Sequence, residues 1–325
     1  MASLGIMIEG QEDLSWQRLF RLAQAVEDLG FESLFRSDHL IALEGAAGRA
    51  ALALWPSLTA LALRTRRIRF GPLVCSMTFR HPAEVAMMAA SVDELSGGRF
   101  ELGIGAGWFR GEHRMFGISF PPYRTRLEML DEAAQVIRAL WSGQAASFEG
   151  RHYRLQQAQA IPTPAQAQPP LILGGKNEQH TLPLVARHAS EWNCTYMSVA
   201  DFAQKSWVLD ECCRAIGRDP ASLRRSIMTP FAIGKSGAEV QDRIAAHCRM
   251  FPNLPATLAE WRAAGYVVGT PAEVVDQLRA FEAAGVNRFL LQHNDLDDIN
   301  SLELLAGQVD GKWVLYSNLL RNRDN

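Results

Sequence analysis

Two carboxylate–imidazole pairs and two glycine-rich turns hold the residues best suited to chemistry. Ser37-Asp38-His39 follows the apolar run 31–36. An imidazole titrates near neutrality and transfers protons readily, and a neighbouring carboxylate can orient it. Ser and Asp also favour capping turns, so the triplet alone reads equally as a helix start. Glu112-His113 is a second such pair; by composition alone it is a solvated surface. Gly103-Ile104-Gly105-Ala106-Gly107-Trp108 alternates glycines, which lets backbone approach a ligand closely. Leu173-Gly174-Gly175-Lys176-Asn177 precedes a predicted helix, and glycines, a lysine and free N–H groups at a helix start suit a phosphate. Val74-Cys75-Ser76-Met77-Thr78, followed by Phe79-Arg80-His81-Pro82, reads on its own as a buried small-residue turn with Cys75 in the core. The eight histidines are scattered, with no HExxH pair and no clustered carboxylates, so no metal is expected.

The elements that must position these residues alternate strand and helix. Apolar runs predict strands over 3–9, 31–36, 67–75, 99–104, 170–173, 190–195, 224–233 and 287–292. Helical spacing predicts helices over 14–29, 55–65, 81–96, 123–141, 178–189, 200–216 and 271–284, and from about 300. Pro82 and Pro271 stand at first-turn positions, and Gly30 and Gly285 follow helix ends. Eight strand-then-helix units predict an α/β fold, a TIM (β/α)8 barrel, in which active sites collect at the C-terminal ends of the strands. The whole chain, 1–325, reads as a single barrel domain with irregular insertions near 142–169 and 235–269 that would shape the pocket. Tyr196, Met197, Trp207, Phe251 and Trp261 would line an apolar cavity there or serve as core. The alternative, a doubly wound sheet, would carry a Gly-rich fingerprint after the first strand. Here that strand runs into Glu9-Gly10-Gln11-Glu12-Asp13, which repels a pyrophosphate.

Bulk properties limit the partners. The 325 residues are 48% hydrophobic and 21% charged, with 33 Lys+Arg against 35 Asp+Glu and a formal charge of -2. That balance suits a globular protein and argues against nucleic-acid and membrane partners. No apolar stretch reaches the length of a membrane span. The start MASLGIMIEGQED lacks the pattern of a secretory signal, and five cysteines, an odd number, do not form a disulfide framework. A cytoplasmic location is expected.

Several strings together resemble one family. They are FESLFRSDHL, the stretch from Phe70 to Trp141 that contains FGPLVCSMTFRHPAEVAMMAASVDELSGGRFELGIGAGWFRGEHRMFG, then PPLILGGKNEQHTLPLVARHASEWN and GTPAEVVDQLRAFEAAGVNRFLL. Their order is similar to the luciferase-like monooxygenases, especially the F420-dependent oxidoreductase branch, over roughly residues 5–310, leaving the tail 309–325 outside.

The resemblance implies a bacterial luciferase-like TIM barrel that binds FMN or F420 at the C-terminal ends of its strands. Asp38 and His39 would lie beside the ring, with His39 the proton donor or acceptor and Asp38 orienting it or facing the ring's polar edge. Glu112 and His113 would be second candidates for proton transfer. A non-proline cis peptide after the third strand would fall at Cys75-Ser76 and support the ring. Gly105, Ala106, Gly107 and Trp108 would pass along the cofactor's side chain, and Gly174, Gly175, Lys176 and Thr181 would hold its phosphate. Ala106 stands where bacterial luciferase has a phosphate-binding arginine, which favours F420 over FMN. Arg80, Arg110 and Arg114 would serve the polyglutamate tail. The implied activity is F420-dependent hydride transfer to or from a small organic substrate. The alternatives are an FMN-dependent monooxygenase with a reductase partner and a non-catalytic F420-binding protein. Members of the family are commonly homodimers, and helices 81–96 and 123–141 would offer the partner surface.

Overall fold

The computed structural model describes residues 2–43 and 48–313. Eight strand positions form a parallel ring, in the order β1 (Ser3–Ile8), β2 (Ser33–Arg36), β3 (Arg69–Pro72) with β4 (Cys75–Ser76), β5 (Leu102–Gly105), β8 (Leu171–Gly174), β9 (Glu191–Thr195), β10 (Arg224–Ile233) and β12 (Arg288–Gln292). The third position is split. β3 pairs with β2, β4 pairs with β5, and a Phe70–Phe100 bridge completes the closure. Helices cover the outside, among them α1 (Trp16–Asp28), α2 (Leu54–Arg64), α3 (Pro82–Ser96), α5 (Tyr123–Trp141), α6 (Thr181–His188), α7 (Val199–Ala215), α10 (Pro271–Ala283) and α11 (Ile299–Trp313). Residues 314–325, most of the tail outside the family resemblance, lie beyond the described residues.

Local chemistry explains the boundaries. Ser15 caps α1 by accepting from the Arg18 N–H, and Leu19, Leu22, Ala23 and Val26 repeat at helical spacing on its buried face. Pro82 stands at the first turn of α3, where its missing N–H costs nothing. Along the strands, side chains alternate between two layers. Met7, Phe35, Leu73, Ile172 and Leu290 fill the barrel interior. Ile6, Ile8, Leu34, Phe289 and Leu291 face the helical shell.

The N-terminal end of the barrel is closed by charge. Arg288, fully buried, donates to Glu101 Oε2 at 2.6 Å and to Glu191, while Arg69 reaches Glu101 from the rim. These charges are held because each has opposite partners in a region of low dielectric.

Both insertions are ordered where the sequence predicted irregular chain. Within 142–169, β6 (Ala146–Glu149) and β7 (Arg154–Ala158) form an antiparallel hairpin. Within 235–269 lie α8 (Gly237–Met250), α9 (Leu258–Ala263) and β11 (Val267–Gly269), and β11 adds a parallel strand alongside β10. This second insertion has its own small core of Ala232, Val240, Ile244, Trp261, Tyr266 and Val268. α9 is short, and α8 buries only Val240, Ile244 and His247, so no apolar stripe revealed the insertion. A further short helix, α4 (Arg110–Met115), also went unpredicted.

Candidate functional site

The C-terminal ends of the strands surround a cavity of about 800 Å³. Asp38, His39, Ser76, Gly105 to Trp108, Glu112, Gly174 to Lys176 and Thr181 all line it. Residues from five separate sequence regions thus meet in one place.

His39 and Glu112 form the centre. Glu112, 1% exposed on α4, places one carboxylate oxygen 2.9 Å from His39 Nδ1 and the other 3.0 Å from the Leu40 N–H. The carboxylate therefore fixes both the ring and its loop, and Nδ1 carries the proton toward it. Burial pushes the imidazole toward neutrality. The hydrogen bond and charge of Glu112, aided by Glu9 and Asp38, outweigh that, so His39 titrates above its ordinary value. The Trp108 ring meets the imidazole edge-on, with centroids 5.6 Å apart.

Asp38 does not orient His39. Its carboxylate receives Arg80 through both terminal nitrogens, one at 3.2 Å, and accepts the Ser76 N–H at 3.2 Å. Arg80 is thereby committed to Asp38 and is not free for a polyglutamate tail. Adjacency in sequence suggested Asp38 for His39, but consecutive residues of an extended chain point to opposite sides. Arg110 and Arg114 are exposed on α4, with the Arg110 guanidinium near the Phe120 ring.

His113 does not reach the cavity. Its Nδ1 donates to the Phe109 carbonyl at 2.8 Å, its Nε2 is taken by Thr78 Oγ1 at 2.6 Å, and the ring stacks on Phe79. One residue further along a helix is a turn of about 100°, which carries His113 away from the face that Glu112 uses. Cys75 likewise leaves the cavity: it is fully buried in the shell between barrel and helices. The cis peptide lies at Leu73-Val74 and not at Cys75-Ser76. Strand pairing lapses between β3 and β4, so the bulge falls on Leu73 and Val74, and the alternation that would orient Cys75 restarts after it.

The glycines divide into two kinds. Gly105 and Gly174 make room for Val74: a Cβ at either would stand 2.6 or 3.3 Å from its methyl groups. Gly107 and Gly175 have φ of 72° and 135°, backbone that suits glycine. A Cβ at Gly107 would press on Ser76 and Thr78, and one at Gly175 would stand 2.7 Å from Thr181 Cγ2. Lys176 Nζ lies 5.6 Å from the Tyr196 ring centroid and has no carboxylate partner among the described residues. A glycine-floored recess, an uncommitted lysine and the start of α6 fit the phosphate of a flavin-like group.

Of the five lid candidates, Tyr196 and Phe251 line the cavity. Met197 and Trp261 are core, and Trp207 is exposed on α7. Sequence reasoning missed Glu9, Gln292 and Asn294, which also line the cavity. The signal was available for Glu9, two residues past inward-facing Met7 on the same face of β1.

Comparison with known proteins agrees with this geometry. The chain is 32% identical over 245 residues to the F420-dependent hydroxymycolic acid dehydrogenase of Mycobacterium tuberculosis, covering 74% of this chain and 67% of that protein. It is 34% identical over 173 residues to the F420-dependent glucose-6-phosphate dehydrogenase of Amycolatopsis mediterranei, covering 53% of this chain and only 50% of that relative. The fold matches the coenzyme F420-dependent tetrahydromethanopterin reductase of Methanopyrus kandleri with a TM-score of 0.81 at 20% identity, over 95% of this chain and 99% of that one. An F420-dependent secondary alcohol dehydrogenase, solved with an F420-acetone adduct, matches at 0.80 and 19% identity, over the same shares of the two chains. The profile of the luciferase-like monooxygenases matches residues 4–288, and the chain belongs to that family.

Proposed function

We propose that this chain is an F420-dependent oxidoreductase that moves a hydride between the deazaflavin C5 and a small organic substrate. The observation that carries the reading is the His39–Glu112 pair, set in a cavity whose facing strands end in a glycine recess and Lys176. The F420 names of the two sequence relatives support the choice of cofactor. So does Ala106, the position that lacks an arginine for FMN.

F420 supplies the carbon that gives or receives the hydride. The chain's own residues do the rest. Lys176 and the start of α6 at Thr181 hold the phosphate. Gly107 and Gly175 let the backbone come close, and Ser76, fixed through Asp38, shapes the floor with Val74. His39 moves a proton at the substrate oxygen through Nε2, and Glu112 keeps Nδ1–H in place so that Nε2 is the working atom. Trp108 packs edge-on against the His39 ring at the mouth of the site. The barrel and both insertions act as one domain, since residues of the second insertion share the cavity wall.

Fluorescence titration with F420 and, separately, FMN tests the cofactor. Micromolar or tighter F420 binding with much weaker FMN binding is expected, followed by bleaching or recovery of the F420 absorbance with alcohols or activated carbonyls. Preference for FMN moves the chain to the monooxygenase reading, and tight F420 binding without turnover on any substrate makes it a carrier. A homodimeric, cytoplasmic enzyme belongs to the same proposal. Exposed Leu63 on α2 and Met87 and Leu95 on α3 support the dimer, and light scattering reads its mass. Five free cysteines suit a reducing compartment.

A further inference from the structure

We propose that the wall opposite the glycine recess accepts an uncharged, apolar-bodied alcohol or carbonyl compound, rejects phosphate esters, and owes that rejection to Glu9. The inference rests on the hydride-transfer reading and names its substrate class.

Glu9 lies just past β1, which stands four strand positions from β8 and so faces Lys176 across the ring. Its carboxylate is held by amides alone: Gln11 Nε2 donates at 2.9 Å and Gln292 Nε2 donates to the other oxygen. Among the described residues the other three carboxylates on the wall each meet a basic side chain: Glu12 with Arg49, Asp38 with Arg80, and Glu112 with His39. Among the described residues no ion pair joins Glu9. Buried Arg36 lies behind it, its nitrogens donating to Ser37 O and Leu52 O, and its charge reaches Glu9 only at a distance.

Among the described residues, Lys176 is the sole lysine or arginine on the cavity wall, and the cofactor phosphate uses it. The same cavity is lined by the neutral amides of Gln11, Gln292 and Asn294 and by an apolar stretch of Met228, Pro230, Phe251, Leu254 and Tyr266. A phosphate dianion there would face a carboxylate held by no direct ion pair among the described residues, with Arg36 and His39 acting on it only at a distance, and such like-charge placement is how sites reject ligands. A hydroxyl or carbonyl meets no such penalty, and its apolar body gains from burial.

Calorimetric titration of the F420-saturated protein with 2-octanone and with glucose 6-phosphate tests this without turnover. Wild type is expected to bind 2-octanone at least about ten-fold more tightly. Glu9→Gln keeps the shape and one of the two acceptor oxygens; it should leave 2-octanone within about two-fold and tighten glucose 6-phosphate about ten-fold, the effect of one nearby charge at intermediate dielectric. Glu9→Ala, with a melting curve matching wild type, should give the same shift. Equal affinity of wild type for the two ligands, or an unchanged ratio in both variants, overturns the proposal. Failure of F420 to bind at the loading step instead overturns the hydride-transfer reading, and the same two ligands titrated into the cofactor-free protein then read the selectivity of the wall by itself.

Discussion

At the scale of single residues, the site depends on which polar groups are paired with which. His39 and Glu112 are 73 positions apart, yet they form the one carboxylate–imidazole contact on the cavity wall among the described residues. His39→Ala should lower kcat by about 10²–10³-fold, within the usual range for removing a general acid–base group, while F420 affinity changes little. Glu112→Gln removes the charge that raises His39, so the His39 limb of the kcat/KM profile should move to lower pH. An unmoved limb would assign that titration to another group. The recess makes a separate prediction. Gly175→Ala places a Cβ against Thr181 on backbone that disfavours it, and F420 binding should weaken by about ten-fold or more. Gly217→Ala is the control: it also has positive φ, at 72°, but lies after α7 with open space around it, so it should lower Tm slightly and leave F420 binding alone.

At the scale of elements, the long regular pieces were readable and the inserted ones were not. Helix 123–141 and strand 224–233 match α5 and β10 residue for residue, because the helix repeats its apolar spacing over many residues and the strand is a largely buried apolar run after a charged start. β3 and β4 did not match, since the predicted strand 67–75 ran through the break at Leu73 and Val74. The second insertion was unreadable because its core is assembled from α8, α9 and β11 together, and α8, though 14 residues long, buries only Val240, Ile244 and His247, too few for an apolar stripe. Trp261 is the fully buried centre of that core, and its indole N–H donates to Pro255 O at 2.6 Å. Trp261→Ala should cost about 3–5 kcal/mol locally. Hydrogen exchange should quicken across 237–269 while β1 and β12 stay protected, and the substrate KM should rise because Phe251, Leu254 and Tyr266 belong to the same insertion. Uniform loss of protection would show that the insertion and barrel unfold as one unit.

At the scale of the whole molecule, buried titratable groups set the response to acid. His247 and His293 are held down to about 4, first by burial; nearby Asp298 opposes this for both, and Arg243 reinforces it for His247. His247 stacks on Trp261 and His293 on Phe231, and each leaves one ring nitrogen buried without a partner. The unfolded chain protonates both near 6.5, so it binds more protons than the folded one between about pH 6.5 and 4, and stability falls as pH falls through that window. The loss should be on the order of 3 kcal/mol for each histidine by pH 4. Glu101 acts lower: buried but paired with Arg288 and Arg69, it titrates below its ordinary value, and its contribution is lost only below about pH 4.5, as it protonates. Melting temperature measured from pH 7.5 to 4 should show the histidine slope, and His247→Phe, which keeps the stacked ring, should flatten part of it. What the sequence determined by itself was the order of strands and helices, the barrel they imply, and the regions that would meet at its C-terminal end, because period and turn chemistry are local properties of the chain. Only the tertiary structure decided that Glu112 and not Asp38 holds His39, that His113 and Cys75 face away, that Arg80 is spent on Asp38, and that Glu9 has no ion pair among the described residues. Those outcomes depend on how side chains from distant segments meet once the ring has closed; spacing gives directions within one element, but not which groups of different elements come together.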